Sequence, residues 1–243
     1  MKKLSKVFAL AVLLILGGQA MAQTHGTMYL SAAFPMSDFA AVNQLNSTAL
    51  WGGENDTYGG AGIGFNAGLK WDFGVGVRGV SVILSVDGIY NGPNAEMKEC
   101  YKDLKETYDL LSSNITMTTP KYINVPAMLG LRYTFYLNPQ FGIYAEGGVG
   151  GNARFITNYT AKYTDLLGVK HNEVYEYNTA FSFAYQAGLG IEVSRNLVIG
   201  CSLYNLGAAP VKGSYSIDNV DNVEFEHGTL EPVMVLGRIG FRF

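Results

Sequence analysis

Seven charged residues lie inside stretches of this sequence that otherwise alternate between apolar and small residues. They are Lys70, Asp87, Arg132, Glu146, Glu192, Arg238 and Arg242. Each falls on the opposite parity from the large apolar residues of its stretch, so a β-strand would turn all the charges to one face. Charges buried on such a face must be paired. Because four are basic and three acidic, we expect them to pair across a narrow space, with a polar passage as the alternative.

Other side chains with catalytic or metal-binding chemistry are few. The histidines, His25, His171 and His227, are widely spaced and predict no metal site. His227 and Thr229 lie close to acidic residues, and a histidine, a hydroxyl and a carboxylate can together activate a nucleophile. A solvated histidine in a connecting segment is the simpler interpretation. We therefore predict no catalytic, cofactor-binding or metal-binding residues.

The elements that hold the charged residues are predicted to be strands. Alternation with a period of two recurs along the chain, and after the first 22 residues no apolar run is long enough for a spanning helix. Several strands exceed the five or six residues usual in globular proteins and match the 9–11 tilted residues that cross a bilayer. The eight predicted strands cover residues 27–34, 60–71, 80–91, 122–136, 141–154, 179–193, 197–205 and 229–243.

The connections between these strands alternate in length. Those after the second, fourth and sixth strands are short, "DFGVGVRG", "LNPQ" and "SRN", and the others are long and polar. Short turns at one end and long loops at the other are typical of outer-membrane barrels. The pattern predicts an all-β fold, an eight-stranded antiparallel up-and-down transmembrane β-barrel formed by residues 23–243.

The two faces of the predicted strands differ in side-chain chemistry. The face opposite the charges is apolar, with aromatic residues such as Trp71 and Phe181 near its ends, as in the aromatic girdles of membrane barrels. The charged face carries many glycines, which suit the crowded interior of a narrow barrel. A soluble barrel would have its charges outside, so this arrangement indicates lipid on the outside.

The chain begins with "MKKLSKVFALAVLLILGGQAMAQ", in which lysines precede a short apolar run and an Ala-Met-Ala segment. This pattern predicts a secretory signal peptide, residues 1–22, that is cleaved. The formal net charge of the whole chain is −3, and removal of the leading lysines makes it more acidic. With no basic cluster in the remainder, we expect no nucleic-acid binding.

Three segments carry a resemblance to a known group: "YINVPAMLGLRYTFYLNPQFGIYAEGGVGG", "FAYQAGLGIEVSRNLVIGCSLYNLG" and the final "LGRIGFRF". They resemble the small outer-membrane β-barrel proteins of the Bacteroidetes, the PorT-like and porin-like group, and more distantly barrels of the OmpX and OmpA type. The resemblance implies a place in the outer membrane of a Gram-negative bacterium, with outer-membrane lipid around the barrel and the barrel-assembly machinery as a partner. It implies that Phe241 and the terminal Phe243 act as an assembly signal. The even strand count and the loop lengths predict that both termini are periplasmic.

One long connection contains "NAEMKECYKDLKETYDLLSS", which has the spacing of an amphipathic helix with Asn94 as its N-cap. The apolar face of this helix would comprise Met97, Tyr101, Leu104, Tyr108 and Leu111. We expect a short helix folded over the barrel mouth, or alternatively a recognition surface for a protein, a polysaccharide or a lipid.

Three functions are open at this point, because fold alone does not determine function. The first is a non-enzymatic outer-membrane barrel whose loops bind an envelope protein or a surface ligand. The second is a small channel for narrow or hydrophobic solutes. The third is a lipid-modifying enzyme similar to the eight-stranded outer-membrane lipid deacylases, which have serine where Thr229 stands and a carboxylate that "LEPVMVLGRIGFRF" lacks. We favour the first.

Overall fold

A computed structural model describes residues 24–42, 59–109, 112–194, 196–218 and 220–243. The predicted signal peptide lies outside these residues. The strands are β1 (Thr24–Met36), β2 (Gly64–Gly74), β3 (Val80–Asn91), β4 (Ser112–Met117), β5 (Tyr122–Asn138), β6 (Phe141–Ile156), β7 (Tyr159–Asp165), β8 (Lys170–Tyr177), β9 (Ala180–Val193), β10 (Leu197–Asn205), β11 (Ala209–Ile217), β12 (Val220–Leu230) and β13 (Val233–Arg242). The helices are α1 (Ser37–Ala40) and α2 (Ala95–Asp109). Neither helix has the length and apolar character needed to cross a membrane.

Eight of the strands form a closed antiparallel barrel in the order β1-β13-β10-β9-β6-β5-β3-β2. The predicted fold class is therefore confirmed. We call the end with the turns β2–β3, β5–β6 and β9–β10 the short-turn end, and the opposite end the long-loop end. Large apolar side chains cover the outside of the wall; Leu30 and Leu131, for example, are 63% and 62% exposed.

The barrel closes where β1 pairs with β13, in a register that joins Thr27 to Arg242. Beyond the strand end, the Phe243 amide donates to the Gly26 carbonyl at 2.8 Å, and the Gly26 amide donates to the Phe243 carbonyl at 2.9 Å. The Phe243 ring lies so close to Gly26 that a Cβ there would come within 2.6 Å of it. Closure gives each of the eight described barrel strands a partner on both sides, as a structure in lipid requires.

A second sheet, which we call the loop sheet, contains β12-β11-β8-β7-β4 in that order. Each of its strands is joined by only a few residues to one barrel strand. Taken in the order of the loop sheet, these barrel strands are β13, β10, β9, β6 and β5, which is also their order in the barrel. The loop sheet thus continues five of the eight barrel strands beyond the long-loop end. These segments were predicted to be polar connections without strands, and that prediction was wrong.

Several predicted strand boundaries were also wrong, and two of them concern candidate residues or the break between the two sheets. Residues 60–63 do not belong to β2, because Gly60 has a left-handed backbone with φ of +63° and Ala61 forms only an isolated bridge with Pro93. Thr229 belongs to β12 and not to the last barrel strand. The break between β12 and β13 contains Pro232, which lacks the N–H that a continuous ladder requires.

Helix α2 begins where the sequence predicted. The Asn94 side-chain oxygen accepts a hydrogen bond from the Met97 amide at 2.7 Å, which is an N-cap contact. Met97 is buried, and the Tyr101 ring lies 5.5 Å from the Tyr159 ring of β7, so the helix packs against the loop sheet. The side chains of Leu104 and Tyr108, and the whole of Leu111, lie outside the described part of the chain.

Candidate functional site

The interior of the barrel near the short-turn end is charged. All seven charged residues of the sequence analysis face the lumen, and Asp72 joins them. We call this set the charged layer: Lys70, Asp72, Asp87, Arg132, Glu146, Glu192, Arg238 and Arg242. None of its members is more than 8% exposed. With four cations and four anions, the layer carries no net charge.

Glu146 is the carboxylate with the most cationic partners in this layer. Its Oε1 lies 2.5 Å from the Lys70 ammonium nitrogen and 3.3 Å from Nη1 of Arg238. Its Oε2 lies 3.6 Å from Nε of Arg132. Since these groups are buried, their attraction is weakly screened and each depends on the others for compensation.

A second group of ion pairs lies closer to the short-turn end. Arg242 contacts Glu192 at 2.6 Å and Asp72 at 3.4 Å. Arg132 contacts the same two carboxylates, Asp72 at 3.1 Å and Glu192 at 3.5 Å. Asp72 was missed because the predicted strand ended at Trp71, although Asp72 continues the inward parity of Lys70.

Asp87 is held mainly by neutral donors. It accepts hydrogen bonds from the hydroxyls of Tyr29 at 2.7 Å and Tyr204 at 3.0 Å, and from the Asn66 amide at 2.8 Å. Arg238 donates to the Tyr204 hydroxyl, and its guanidinium lies 4.7 Å from the centre of the Tyr29 ring. These lumen tyrosines were not predicted, although both have the inward parity of their strands.

The interior nearer the long-loop end carries no ion pairs among the described residues; it holds apolar side chains together with buried amides such as Asn124, Asn152 and Gln186. We call its apolar members the apolar layer: Ala33, Ile89, Met128, Ala184, Met234 and Leu236. None of them is more than 1% exposed. Because the interior of an eight-stranded barrel is just wide enough for side chains, this layer closes the lumen.

The long-loop end is closed further by the connections. The Phe39 ring of α1 packs edge-to-face on Tyr122 at 5.2 Å. Arg154, which is 1% exposed, donates hydrogen bonds to the carbonyls of Leu230 at 2.7 Å and Ala209 at 2.8 Å. It thereby fastens β6 to the connection that bears β11 and β12.

A cavity of about 920 Å³ opens at the short-turn end. Asp72, Arg132, Glu192 and Arg242 line it, together with residues of the β2–β3 turn such as Arg78. The cavity therefore reaches the charged layer, while the apolar layer lies beyond it.

One face of the loop sheet carries a row of aromatic side chains. The Tyr159 and Tyr175 rings are 5.4 Å apart, the Tyr175 and Tyr215 rings 4.5 Å apart, and the Tyr177 and Phe225 rings 5.8 Å apart. The register places Tyr159, Tyr175 and Tyr215 opposite one another on neighbouring strands, and such cross-strand aromatic pairs stabilise a sheet.

Glu173 lies on the same face as the aromatic row and is 4% exposed. Its Oε1 accepts a hydrogen bond from the Tyr163 hydroxyl at 2.8 Å. Burial raises the pKa of Glu173 above its usual value. Burial and the hydrogen bond to Glu173 both raise the pKa of Tyr163.

His171 joins the tips of two hairpins. Its Nδ1 lies 2.8 Å from an Asp218 carboxylate oxygen and its Nε2 lies 3.3 Å from an Asp165 oxygen. Hydrogen bonds to Asp218 first, and then to Asp165, raise the pKa of His171. The two carboxylates contact different ring nitrogens, and no group of His, Cys, Asp and Glu among the described residues has the arrangement of a metal site.

Residues 8–225 match the family model described as "Outer membrane protein beta-barrel domain". The chain belongs to this outer membrane β-barrel family. A search of curated proteins finds no match.

Among solved structures, this outer membrane barrel is similar to Ail of Yersinia pestis in complex with the heparin analogue sucrose octasulfate, at 15% identity over 90% of this chain and 99% of Ail, with a TM-score of 0.39. It is similar to OprG of Pseudomonas aeruginosa at 10% identity over 91% and 97% of the two chains, with a TM-score of 0.45. A major outer membrane protein of Thermus thermophilus matches at 12% identity over 90% and 99%, with a TM-score of 0.44.

The remaining candidate residues of this outer membrane barrel lie far apart. His25 lies opposite Asp72 in the register of β1 and β2 near the short-turn end, whereas His171 and His227 belong to the loop sheet. Thr229 pairs with Pro210 in the same sheet, and the His227 side chain is outside the described part of the structure. Phe241 and Phe243 point outward at the short-turn end, 56% and 67% exposed.

Proposed function

We propose that this outer membrane protein is a closed, non-enzymatic barrel that presents the loop sheet and α2 outside the cell for binding. The observation that carries the proposal is the contrast between its two parts. The charged and apolar layers fill the lumen, while three of the four long connections fold into an ordered sheet beyond it. Binding residues are commonly carried by connections that a rigid scaffold positions.

The proposed orientation places both termini and the short turns in the periplasm. An even number of strands brings both termini to one side, and short periplasmic turns with longer external loops are usual in this class. We propose that residues 1–22 are removed on export and that Phe241 and Phe243 are read by the barrel-assembly machinery. We also propose kinship with the PorT-like group, which the segments quoted above support.

The proposed binding surface is the outer part of the loop sheet, and its partner is an envelope protein or a surface ligand. The β7–β8 turn carries Leu166, Leu167 and Val169, which are 79%, 88% and 50% exposed. Neighbouring exposed apolar residues are typical of contact surfaces. The adjacent hairpin adds Val220, and His171 with Asp218 holds the two hairpins together.

Affinity capture from solubilised outer membrane tests this proposal. We expect the native protein to retain a defined partner, and the variant Leu166→Ser/Leu167→Ser to lose it. A control variant, Val75→Ser/Val77→Ser, changes exposed apolar residues in the β2–β3 turn and should retain the partner. Equal capture by both variants would contradict a role for the loop sheet.

A channel for narrow or hydrophobic solutes is the second candidate. The cavity of about 920 Å³ at the short-turn end favours it. Conduction would require displacement of both the charged and the apolar layer, so we place it second. Catalysis is not proposed, because a threonine, Thr229, stands where the lipid deacylases have serine, and the last segment lacks their carboxylate. The Thr229 backbone is a regular part of β12.

A further inference from the structure

Glu173 is a buried carboxylate without a cationic partner of its own among the described residues. In the loop sheet it stands opposite Ala161 on one side and Ile217 on the other. Its second oxygen, Oε2, has no hydrogen-bond partner in the part of the chain that the structure describes. The lysines of the flanking strands, Lys162 and Lys212, have the opposite parity and lie on the other face of the sheet.

The nearest histidine does not fill this role. His171 is two residues away on the same face, but Asp218 and Asp165 already contact both of its ring nitrogens. A buried carboxylate is costly unless a cation or several donors compensate it. Glu173 has one described donor, the Tyr163 hydroxyl at 2.8 Å. The described residues therefore give this carboxylate one hydrogen bond and no ion pair.

Tyrosines surround this carboxylate. Tyr163 lies on one side along the sheet, and Tyr159, Tyr175 and Tyr215 form the next row on the other side. The faces of aromatic rings attract cations. The Tyr159 side chain is itself buried, and its hydroxyl also has no hydrogen-bond partner among the described residues.

We propose that Glu173 and its tyrosines form a binding site for a small organic molecule with a primary ammonium group. The ammonium contacts Oε2 of Glu173 and the Tyr159 hydroxyl, and its carbon skeleton lies along the aromatic row. Both unpartnered oxygens accept hydrogen bonds. A primary ammonium donates three and a quaternary ammonium donates none, so the site prefers the primary ion. This inference goes beyond the proposed surface-binding function, because the site lies at different residues of the loop sheet.

Isothermal titration of the full-length protein in detergent micelles at pH 8 tests the site, with ethanolamine hydrochloride as the probe and choline chloride and sodium chloride as comparisons. We expect saturable binding of ethanolamine, weaker binding of choline, and none with sodium chloride. Glu173→Gln keeps the shape and removes the charge, and it should weaken ethanolamine binding by at least about tenfold, as loss of a charged hydrogen bond does.

Two further variants separate the site from general effects on the sheet. Glu176→Gln changes an exposed carboxylate on the same strand but the opposite face, and it should bind as the native protein does. Tyr159→Phe should weaken ethanolamine binding and leave choline binding unchanged.

The inference is overturned if the native protein shows no saturable ethanolamine binding, whatever the variants do. Binding of choline as tight as that of ethanolamine overturns the role of the two acceptor oxygens. Partner capture through Leu166 and Leu167 uses different residues. Capture without ammonium binding would therefore remove only this site and leave the proposed function in place.

Discussion

Replacement of Glu146 by glutamine should destabilise the barrel strongly. The side chain is fully buried, and its carboxylate lies within 3.6 Å of three cations, Lys70, Arg132 and Arg238. Glutamine keeps the size of the side chain but leaves four cations facing three anions in the charged layer. Removal of one partner from a buried ion pair costs about 3–5 kcal/mol. At tenfold per 1.4 kcal/mol, the folding equilibrium constant falls by a factor of roughly 10² to 4 × 10³.

Equilibrium unfolding in urea, with the protein refolded into lipid vesicles, measures this change. Tryptophan fluorescence reports unfolding, and the heat-modifiable shift on gels confirms that each variant folds. The double variant Lys70→Met/Glu146→Gln restores three cations to three anions and should recover at least about 1 kcal/mol relative to the sum of the single changes. Glu176→Gln on the exposed face of β8 is the control, with a change within about 0.5 kcal/mol.

An unfolding free energy of Glu146→Gln within about 0.5 kcal/mol of the native value would contradict a structural role of this carboxylate. Destabilisation of the double variant by the full sum of the two single changes would show that the buried charges are not coupled.

Three further predictions concern the seam, the orientation and the loop sheet. Ile239→Arg puts a charge on the lipid face at a cost of about 2–4 kcal/mol near the midplane. This change, or deletion of Phe243, should lower the amount of the protein in the outer membrane, measured on blots. Amounts equal to that of the native protein for both variants would contradict a lipid-facing closing strand. Trypsin added to intact cells should cut at the exposed lysines of α2 and spare Arg78, and cleavage at Arg78 would reverse the orientation. Because the pKa of His171 is raised, its contacts with the two carboxylates stabilise the hairpins fully at pH values below the ordinary pKa of histidine. This stabilisation is lost as the pH rises through the raised pKa. NMR titration should show that Asp218→Asn lowers this pKa, and an unchanged pKa would refute the contact.

The barrel could be predicted because each of its strands separates two different environments. In β13, Ile239 faces outward at 56% exposure and Arg238 faces inward at 6%, so parity alone distinguishes the faces. The same contrast identified the charged residues before their partners were known. Individual pairs such as Arg242 with Glu192 depend on the stagger between strands, which parity does not specify.

The loop sheet could not be predicted in the same way. In β7, polar residues such as Thr160 and Lys162 alternate with Tyr159, Ala161 and Tyr163. Charged residues occur on both faces of β7 and β8, so the hydrophobic contrast between the faces is weak. The pairing of these strands follows the order of the barrel strands that they continue. It therefore depends on contacts between residues far apart in the sequence, which local patterns do not reveal. Glu173 illustrates the consequence, because its burial depends on tyrosines from three strands.

The helix was predicted because its signals are local. The Asn94 cap and the spacing from Met97 to Tyr101 lie within a few residues of one another. Its packing against Tyr159 of β7 required the loop sheet and could not be anticipated.

Single-channel recording in planar bilayers tests the central claim, that the lumen is closed, most directly. The refolded protein should give no stable current steps at either polarity, because side chains that are at most 1% exposed fill the barrel above the charged layer. Vesicles from the same preparation should show the heat-modifiable form, which ensures that folded protein was inserted. Stable, reproducible current steps that disappear when the protein is heat-denatured before insertion would contradict the closed lumen and favour the channel.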